Sequence, residues 1–219
     1  AELAPNEEIN GFTMGAVGTG TTIEYVEVLS NSDDCFEWFG GTVNTRYLVG
    51  AFCGDDTFDY DEGFRGNHQF WFSIQSSDDA GSGGEHDGGT ESESGQPFSQ
   101  PVIYNATFIG SGVGAGLDDP LLNLRDNAGG KYFNSIFTAK DGVAIQVEDL
   151  ASGEDTFARF EAGQVEFTHN IFFDFGVGSS AEDVFVASDG DNVVESSSDA
   201  FASYMADGAQ SNQIADPQL

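Results

Sequence analysis

Short runs of alternating apolar and polar residues recur at near-equal distances in the N-terminal part of the chain. Three of them span Thr22–Val28, Arg46–Phe52 and Gln69–Ile74. Tyr47 follows Tyr25, and Phe70 follows Leu48, at one common spacing along the chain. Such alternation is typical of half-buried β-strands. A period of roughly 20 to 30 residues indicates stacked coils, so we expect like residues to lie at equal height in parallel strands.

Further runs with the same character continue toward the C-terminus. They span Val102–Ile109, Lys131–Phe137, Val143–Val147, Val165–Thr168 and Ile171–Phe173. Segment 76–100 interrupts them, because it is acidic, rich in Gly and Ser and nearly free of apolar residues, and it is predicted to be a loop excursion. The prediction is an all-β solenoid with coils of about 22 residues over residues 1–176.

Residues 177–219 are predicted to form a capping segment. Within it, Ser198–Met205 is predicted to be a short helix, with Ser198 or Asp199 as its N-cap and an end near Gly208. Such a helix would cover the last coil, since an open end of a solenoid exposes strand edges.

Pairs of aspartates recur with the period of the strands. They are Asp33-Asp34, Asp55-Asp56 and Asp78-Asp79, at nearly equal steps along the chain. Stacked coils would align the pairs along one corner, where like charges about 5 Å apart repel unless a cation neutralises them. A structural calcium ion fits there, because calcium takes six to eight oxygen ligands. Alternatively, the first Asp of each pair caps a turn and the second points into water. The predicted calcium ligands are Asp33, Asp34, Asp55, Asp56, Asp59, Asp61, Asp78 and Asp79.

The charge of the chain restricts its partners. The sequence has 38 acidic and six basic residues, a formal net charge of −32. Such a surface repels nucleic acid and anionic lipid and attracts cations. Adaptation to high salt is an alternative explanation of the same charge. Twenty Phe, six Tyr and two Trp argue against a disordered chain. No apolar run approaches the roughly 18 residues of a membrane span, so membrane insertion is not expected.

The spacing of the two cysteines, Cys35 and Cys53, matches no zinc pattern. In the frame of the coils Cys53 falls beside Asn31, shortly before Cys35 in the chain. A tight corner would bring the two within the Cα separation of roughly 4.4 to 6.8 Å that a disulfide requires. We therefore predict a Cys35–Cys53 disulfide, which a secreted setting would oxidise.

Three segments carry a resemblance to a known group of proteins. They read NEEINGFTMGAVGTGTTIEYVEV, DDCFEWFGGTVNTRYLV and DDTFDYDEGFRGNHQFWFSI. With the strings EWFGGTVN and DDxFDxDxGFRG they resemble secreted and surface-attached proteins of Bacteroidetes-type and other Gram-negative bacteria. The resemblance covers about residues 1–175, with a weaker match at NQIADPQL. The resemblance implies a right-handed parallel β-helix with further coils before Ala1. Most members of the group have no assigned biochemical role, and the group supplies no catalytic motif.

An enzymatic alternative rests on one crowded coil. Its residues are Asp55, Asp56, Asp59, Asp61, Arg65 and His68. Carboxylates beside His and Arg on a β-helix face could cleave an acidic polysaccharide by general acid–base catalysis. The polygalacturonase-type strings NTD, DD, GHG and RIK are not reproduced, since the nearest strings here are NTR, DD and GNH. Arg65 and Lys131 are the candidate bases for a lyase.

The leading functional prediction is a secreted or cell-surface β-helix that acts as a structural or binding module and is stabilised by calcium. Its expected partners are cations, polysaccharide, and other copies or upstream coils of the same protein. The first coil, with Gly11, Phe12, Met14 and the strand Thr21–Val28, is expected to present an unpaired parallel edge. Head-to-tail stacking at such an edge would propagate into a filament.

Overall fold

The computed structural model describes residues 9–89 and 94–219. The strands within these residues are β1 (Phe12–Val17), β2 (Ile23–Leu29), β3 (Phe36–Gly41), β4 (Thr45–Ala51), β5 (Phe58–Asp61), β6 (Asn67–Ile74), β7 (Gly84–Asp87), β8 (Val102–Tyr104), β9 (Thr107–Ile109), β10 (Leu122–Arg125), β11 (Gly130–Phe133), β12 (Ile136–Lys140), β13 (Ile145–Glu148), β14 (Val165–Thr168), β15 (Ile171–Phe175), β16 (Phe185–Ser188) and β17 (Gln213–Ile214). The helices are α1 (Thr156–Glu161), α2 (Ala181–Val184) and α3 (Glu195–Ala206). Across the described ranges, no helix has the length and apolar character that a membrane crossing requires.

The strands alternate between two sheets whose strands pair in parallel. The first sheet has the order β1-β3-β5-β7-β10-β13-β16, and the second contains the other ten strands. In the second sheet β2, β4 and β6 lie side by side, and β6 then pairs with both β8 and β9. Because β3 pairs with β1 and β5 rather than with β2 or β4, the chain moves from one sheet to the other within each coil. This confirms the predicted all-β parallel β-helix.

The predicted coil length holds for the first coils, whereas later coils vary in length. Phe36 pairs with Phe58, as the repeat of the sequence requires. Leu48 pairs with Trp71 rather than with Phe70, so the predicted stacking of Leu48 was wrong by one position. The coil in which Gly84 of β7 pairs with Leu122 of β10 is longer, because it carries a loop outside the sheets. The next coil, in which Leu122 pairs with Ile145 of β13, is close to the predicted length.

The interior is a continuous stack of aromatic rings contributed by successive coils. Trp38, Phe58 and Trp71 are almost completely buried. The ring of Trp71 lies 4.5 Å from that of Phe58 and 5.1 Å from that of Trp38, and both pairs are stacked. The stack continues in later coils through Phe108, Phe137 and Phe172. Full burial of one such side chain contributes about 1.5 to 3 kcal/mol, so this stack is a main source of stability.

Part of segment 76–100, which the sequence predicted to be a loop excursion, is a strand. Strand β7 pairs with β5 and β10 in the first sheet. Its inward residue is His86, whose ring stacks 3.9 Å from that of Tyr60 and whose Nε2 lies 2.6 Å from Oη of Tyr132. The strand escaped detection because its inward residue is a histidine and its neighbours, Glu85 and Asp87, are acidic.

The C-terminal segment also differs from the prediction. Strand β16 extends the first sheet and β17 the second, so both sheets continue beyond residue 176. Helix α3 begins at Glu195 rather than at Ser198. Ser198 is buried, and its Oγ accepts a hydrogen bond from N of Ala187 (2.9 Å) and donates one to O of Ala187 (3.2 Å). The hydroxyl group that was predicted to cap the helix therefore joins α3 to β16.

The predicted Cys35–Cys53 disulfide is present, with Cα atoms 5.6 Å apart. Both residues are buried. The backbone N of Gly54 donates to O of Asn31 (2.9 Å), which places Cys53 beside Asn31 in the neighbouring coil. Closing this loop contributes about 3 kcal/mol, since it restricts the unfolded chain.

Candidate functional site

The first two aspartate pairs lie at one corner, just before strands β3 and β5. Oδ1 of Asp34 accepts a hydrogen bond from the backbone N of Asp56 in the next coil (3.0 Å), and Oδ1 of Asp56 accepts one from the backbone N of Ser82. Asp34 and Asp56 are buried, whereas Asp33 is half-buried and Asp55 is exposed. The second member of each of these two pairs therefore joins neighbouring coils. The turn-capping alternative, in which the second Asp points into water, is wrong for these pairs.

Five carboxylates converge at this corner and on the adjoining first sheet. Carboxylate oxygens of Asp33, Asp34 and Asp55 lie within 4.8 Å of one another, as do those of Asp34, Glu37 and Asp59. Glu37 and Asp59 occupy paired positions of β3 and β5. We call these five residues the acidic cluster. Sequence reasoning missed Glu37, although its position one coil before Asp59 was a usable signal.

One oxygen of the acidic cluster has no hydrogen-bond partner. Oδ1 of Asp59 is shielded from solvent and accepts no hydrogen bond. An unpaired buried acceptor is costly in free energy. Asp34 and Glu37 lie next to it with their own carboxylates. The cluster therefore offers converging, incompletely satisfied oxygen ligands, which is the chemistry that a hard cation prefers.

The electrostatics of the cluster favour either protons or a bound cation. Burial, followed by the charges of Asp55 and Glu37, raises the pKa of Asp34 to about 8. Burial, followed by the charges of Asp33 and Asp61, raises the pKa of Glu37 to about 7. The pKa of Asp59 is also raised, mainly by burial. A divalent cation among these carboxylates would reverse these shifts, because it stabilises their charged forms.

The row of outward side chains continues along the first sheet to an arginine. Arg125 of β10 forms ion pairs with Glu85 (2.6 Å) and Asp87 (2.9 Å) of β7. Burial nevertheless raises the pKa of Asp87 to about 7. In this part of the face the chain itself supplies the cation. Arg125 was also missed in the sequence, since it lies outside the repeating aspartate motif.

The other predicted ligands, Asp56, Asp61, Asp78 and Asp79, are not among the five residues of the acidic cluster. Asp61 is buried near the end of β5, and its Oδ1 accepts a hydrogen bond from the backbone N of Glu62. Asp78 and Asp79 are exposed, and only Asp79 approaches the corner, near Gly54. Among the described residues, neither joins the carboxylates that converge within metal-binding distance. The first two predicted aspartate pairs therefore share the corner, and the third lies outside the cluster.

The residues of the enzymatic alternative are not assembled in one groove. His68 is buried inside the second sheet, where its Nδ1 lies 2.9 Å from Oγ1 of Thr45, and burial lowers its pKa to about 3. Asp56 is buried in the corner of the first sheet, whereas Arg65 is exposed in the bend before β6. An acid–base pair needs both groups within reach of the same bond. The residues of the enzymatic alternative do not meet this condition.

The fold and this outer face define a parallel β-helix protein with an acidic cluster on one sheet. The chain matches the family model described as "Pectate-lyase like beta helix domain" over residues 1–215 and belongs to that family. The match extends without a break beyond residue 175, where the sequence resemblance became weaker. No curated protein and no solved structure was found to match the chain.

Proposed function

We propose that this protein is a secreted or cell-surface binding and structural module whose first coils are stabilised by calcium. The observation that carries the proposal is the acidic cluster with its unpaired Asp59 oxygen. The disulfide supports an oxidising compartment, since disulfides persist mainly outside the cytosol. A calcium ion would join neighbouring coils at the point where buried carboxylates otherwise oppose each other.

The geometry favours a non-catalytic role over polysaccharide cleavage. The family description raises a lyase as the second candidate, and such an enzyme needs a base to remove a proton from its substrate. Of the two candidate bases, Arg65 lies in the bend before β6 and Lys131 lies in β11 of the second sheet. Arg125 is the one arginine or lysine in the described strands of the acidic first sheet. Burial alone would lower its pKa, but hydrogen bonds and charges of Asp87 and Glu85 raise it above its usual value. An arginine that holds its proton this firmly is poorly suited to act as a base.

Calcium is expected to raise the midpoint of thermal unfolding relative to EDTA at matched ionic strength. A ligand that binds only the folded state stabilises it by about 2.7 kcal/mol at a hundredfold excess over Kd. Asp59→Asn is expected to remove most of this increment, because it withdraws a charged ligand from the cluster. Asp78→Asn is the matched control and should retain it, since Asp78 is exposed and outside the cluster. Equal midpoints in EDTA and in calcium would rule out a specific site and leave only screening.

The proposed module would also associate through its first coil. Within residues 9–89 and 94–219, β1 pairs only with β3 and β2 only with β4, so both sheets end in an unpaired parallel edge. Such edges accept further strands, here from another copy of the chain. Sedimentation at micromolar concentration is expected to show self-association of the 219-residue chain. A monomer that stays monomeric as its concentration rises would contradict the proposed assembly.

A further inference from the structure

A ridge of three aromatic side chains runs along the outside of the second sheet. Tyr25, Tyr47 and Phe70 occupy equivalent positions of β2, β4 and β6. The ring of Tyr47 stacks 4.7 Å from that of Tyr25 and 5.0 Å from that of Phe70. Tyr25 is 75% exposed and Phe70 is 39% exposed. Burial in the core therefore does not explain why these rings are present.

The backbone of the ridge adds a second argument. All three residues have left-handed backbone conformations, with φ of 58°, 57° and 61°. A bulky side chain is unfavourable there, whereas asparagine tolerates this region. In the next two coils the same position is occupied by Asn105 and Asn134, with φ of 58° and 53°. The first coils thus keep aromatic rings where asparagine suffices, and strain of this kind concentrates at functional sites.

A groove of about 540 Å³ lies beside the ridge on the same sheet. Its exposed or half-buried lining residues are Glu24, Asn44, Arg46, Asn67, Gln69 and Tyr104, and the buried Thr45 and His68 lie at its base. Oδ1 of Asn44 accepts a hydrogen bond from the backbone N of Asn67 (2.8 Å), so one amide orients the next along the groove. Nε2 of Gln69 donates to Oδ1 of Asn105 (3.3 Å). Binding groups that are held in place before a ligand arrives reduce the entropic cost of binding.

The only arginine or lysine of the groove among the described residues is already neutralised. Arg46 forms an ion pair with Glu24 (2.9 Å), and its guanidinium carbon lies 5.8 Å from the ring centroid of Tyr47. The chain as a whole has a net charge of −32. A polyanion would therefore be repelled, and no excess positive charge in the groove compensates this repulsion.

The chemistry of the groove matches an uncharged polymer that is rich in hydroxyl groups. Amide, carboxylate and guanidinium groups supply the donors and acceptors that hydroxyls need. Tyr104 and the edges of the ridge supply the apolar surface on which the C–H faces of a sugar ring pack. Equivalent positions in neighbouring strands lie about 4.8 Å apart, so each coil presents one polar or aromatic side chain of the row Glu24, Arg46, Gln69 and Tyr104. A linear chain of repeating units laid along the axis would meet these groups in register.

We propose that this groove binds a neutral, linear oligosaccharide along the axis of the β-helix. The site lies on the second sheet, whereas the acidic cluster lies on the first, so binding here does not require calcium. The inference specifies the ligand class of the binding module proposed above and rests on that proposal. Oligosaccharide binding can be absent while calcium stabilises the protein, and it can be present while calcium has no effect, so the two proposals can fail separately.

Isothermal titration calorimetry of the full chain in EDTA provides the test. The probes are neutral hexasaccharides of β-1,4-glucan, β-1,3-glucan, β-1,4-xylan and β-1,4-mannan, with hexagalacturonate as the acidic comparison. At least one neutral probe is expected to bind more tightly than hexagalacturonate. Tyr104→Ala and Arg46→Ala are each expected to weaken that binding about tenfold, since both residues line the groove.

Phe173→Ala is the matched control, because Phe173 is an exposed aromatic residue in β15 of the same sheet, outside the groove. It should leave the affinity for the neutral probe unchanged. All three substituted side chains are exposed, and circular dichroism with thermal melts will verify that the variants fold. The proposal is overturned if no neutral probe binds, if hexagalacturonate binds best, or if Tyr104→Ala and Phe173→Ala have the same effect.

Discussion

In EDTA, the free energy of unfolding is expected to fall as the pH is raised from about 5 to about 8, by on the order of 5 kcal/mol after a discount for screening by solvent. Burial, followed by the charges of neighbouring carboxylates, raises the pKa of Asp34 to about 8. Burial is also the main cause that raises the pKa values of Glu37 and Asp87 to about 7. Carboxyl groups of the unfolded chain titrate near pH 4. Over this range the folded chain therefore holds protons that the unfolded chain has released, so raising the pH favours unfolding.

Urea unfolding at several pH values and constant ionic strength measures this slope. Asp34→Asn is expected to flatten it, because asparagine keeps an acceptor for the backbone N of Asp56 but carries no titrating proton. Asp78→Asn should preserve the slope, since Asp78 is exposed. Saturating calcium should also reduce it, because the ion stabilises the charged carboxylates. Stability that increases with pH in EDTA would show that these buried groups are ionised without a cation.

Lys140→Met is expected to lower the free energy of unfolding by about 2 kcal/mol. Lys140 is completely buried at the end of β12. Its Nζ donates to O of Gly81 (2.7 Å) and to Oε1 of Gln75 (3.3 Å). Methionine has a similar length but no donor, so Oε1 of Gln75 loses its partner, at a cost of about 1 to 3 kcal/mol. O of Gly81 keeps the hydrogen bond that it accepts from Nε2 of Gln75 (2.9 Å). The substitution also removes a positive charge close to the buried Asp56 and the exposed Asp119.

The other lysine of the chain, Lys131, provides a matched control. Its Nζ forms an ion pair with Glu166 (2.8 Å), and both side chains are partly exposed to solvent. Lys131→Met is expected to cost less than about 1 kcal/mol, as is usual for ion pairs near the surface. Urea unfolding of both variants at the same pH compares the two. Similar losses would mean that the hydrogen bonds of Lys140 contribute no more than a surface ion pair does.

The repeating pattern of the sequence was sufficient to predict the stacking of the first coils. Tyr25 lies beside Tyr47 in the neighbouring coil, as their spacing required, because strands of consecutive equal coils stay in register. The same frame placed Cys53 beside Asn31 and so led to the disulfide. These predictions succeeded where one coil follows another with little change in length.

Orientation at the corners could not be predicted from the spacing. Asp34 and Asp56 are buried because each accepts a hydrogen bond from the backbone of the following coil, and a local sequence motif does not record that partner. Glu37 was missed for a similar reason, since it joins the acidic cluster through an outward position of β3 rather than through the corner. Asp78 does not join the acidic cluster, because the chain between β5 and β7 is longer than the corresponding segments of the coils before it.

One series of left-handed residues in the second sheet has a member at the same position of successive coils. It runs from Tyr25 through Tyr47, Phe70, Asn105 and Asn134 to His169. Since the bend recurs at the same height in each of these coils, a whole coil can be duplicated or deleted without altering the path of its neighbours. This regularity gives an evolutionary route by which such chains lengthen or shorten in units of one coil. It also predicts that recombination within the family exchanges whole coils between these bends.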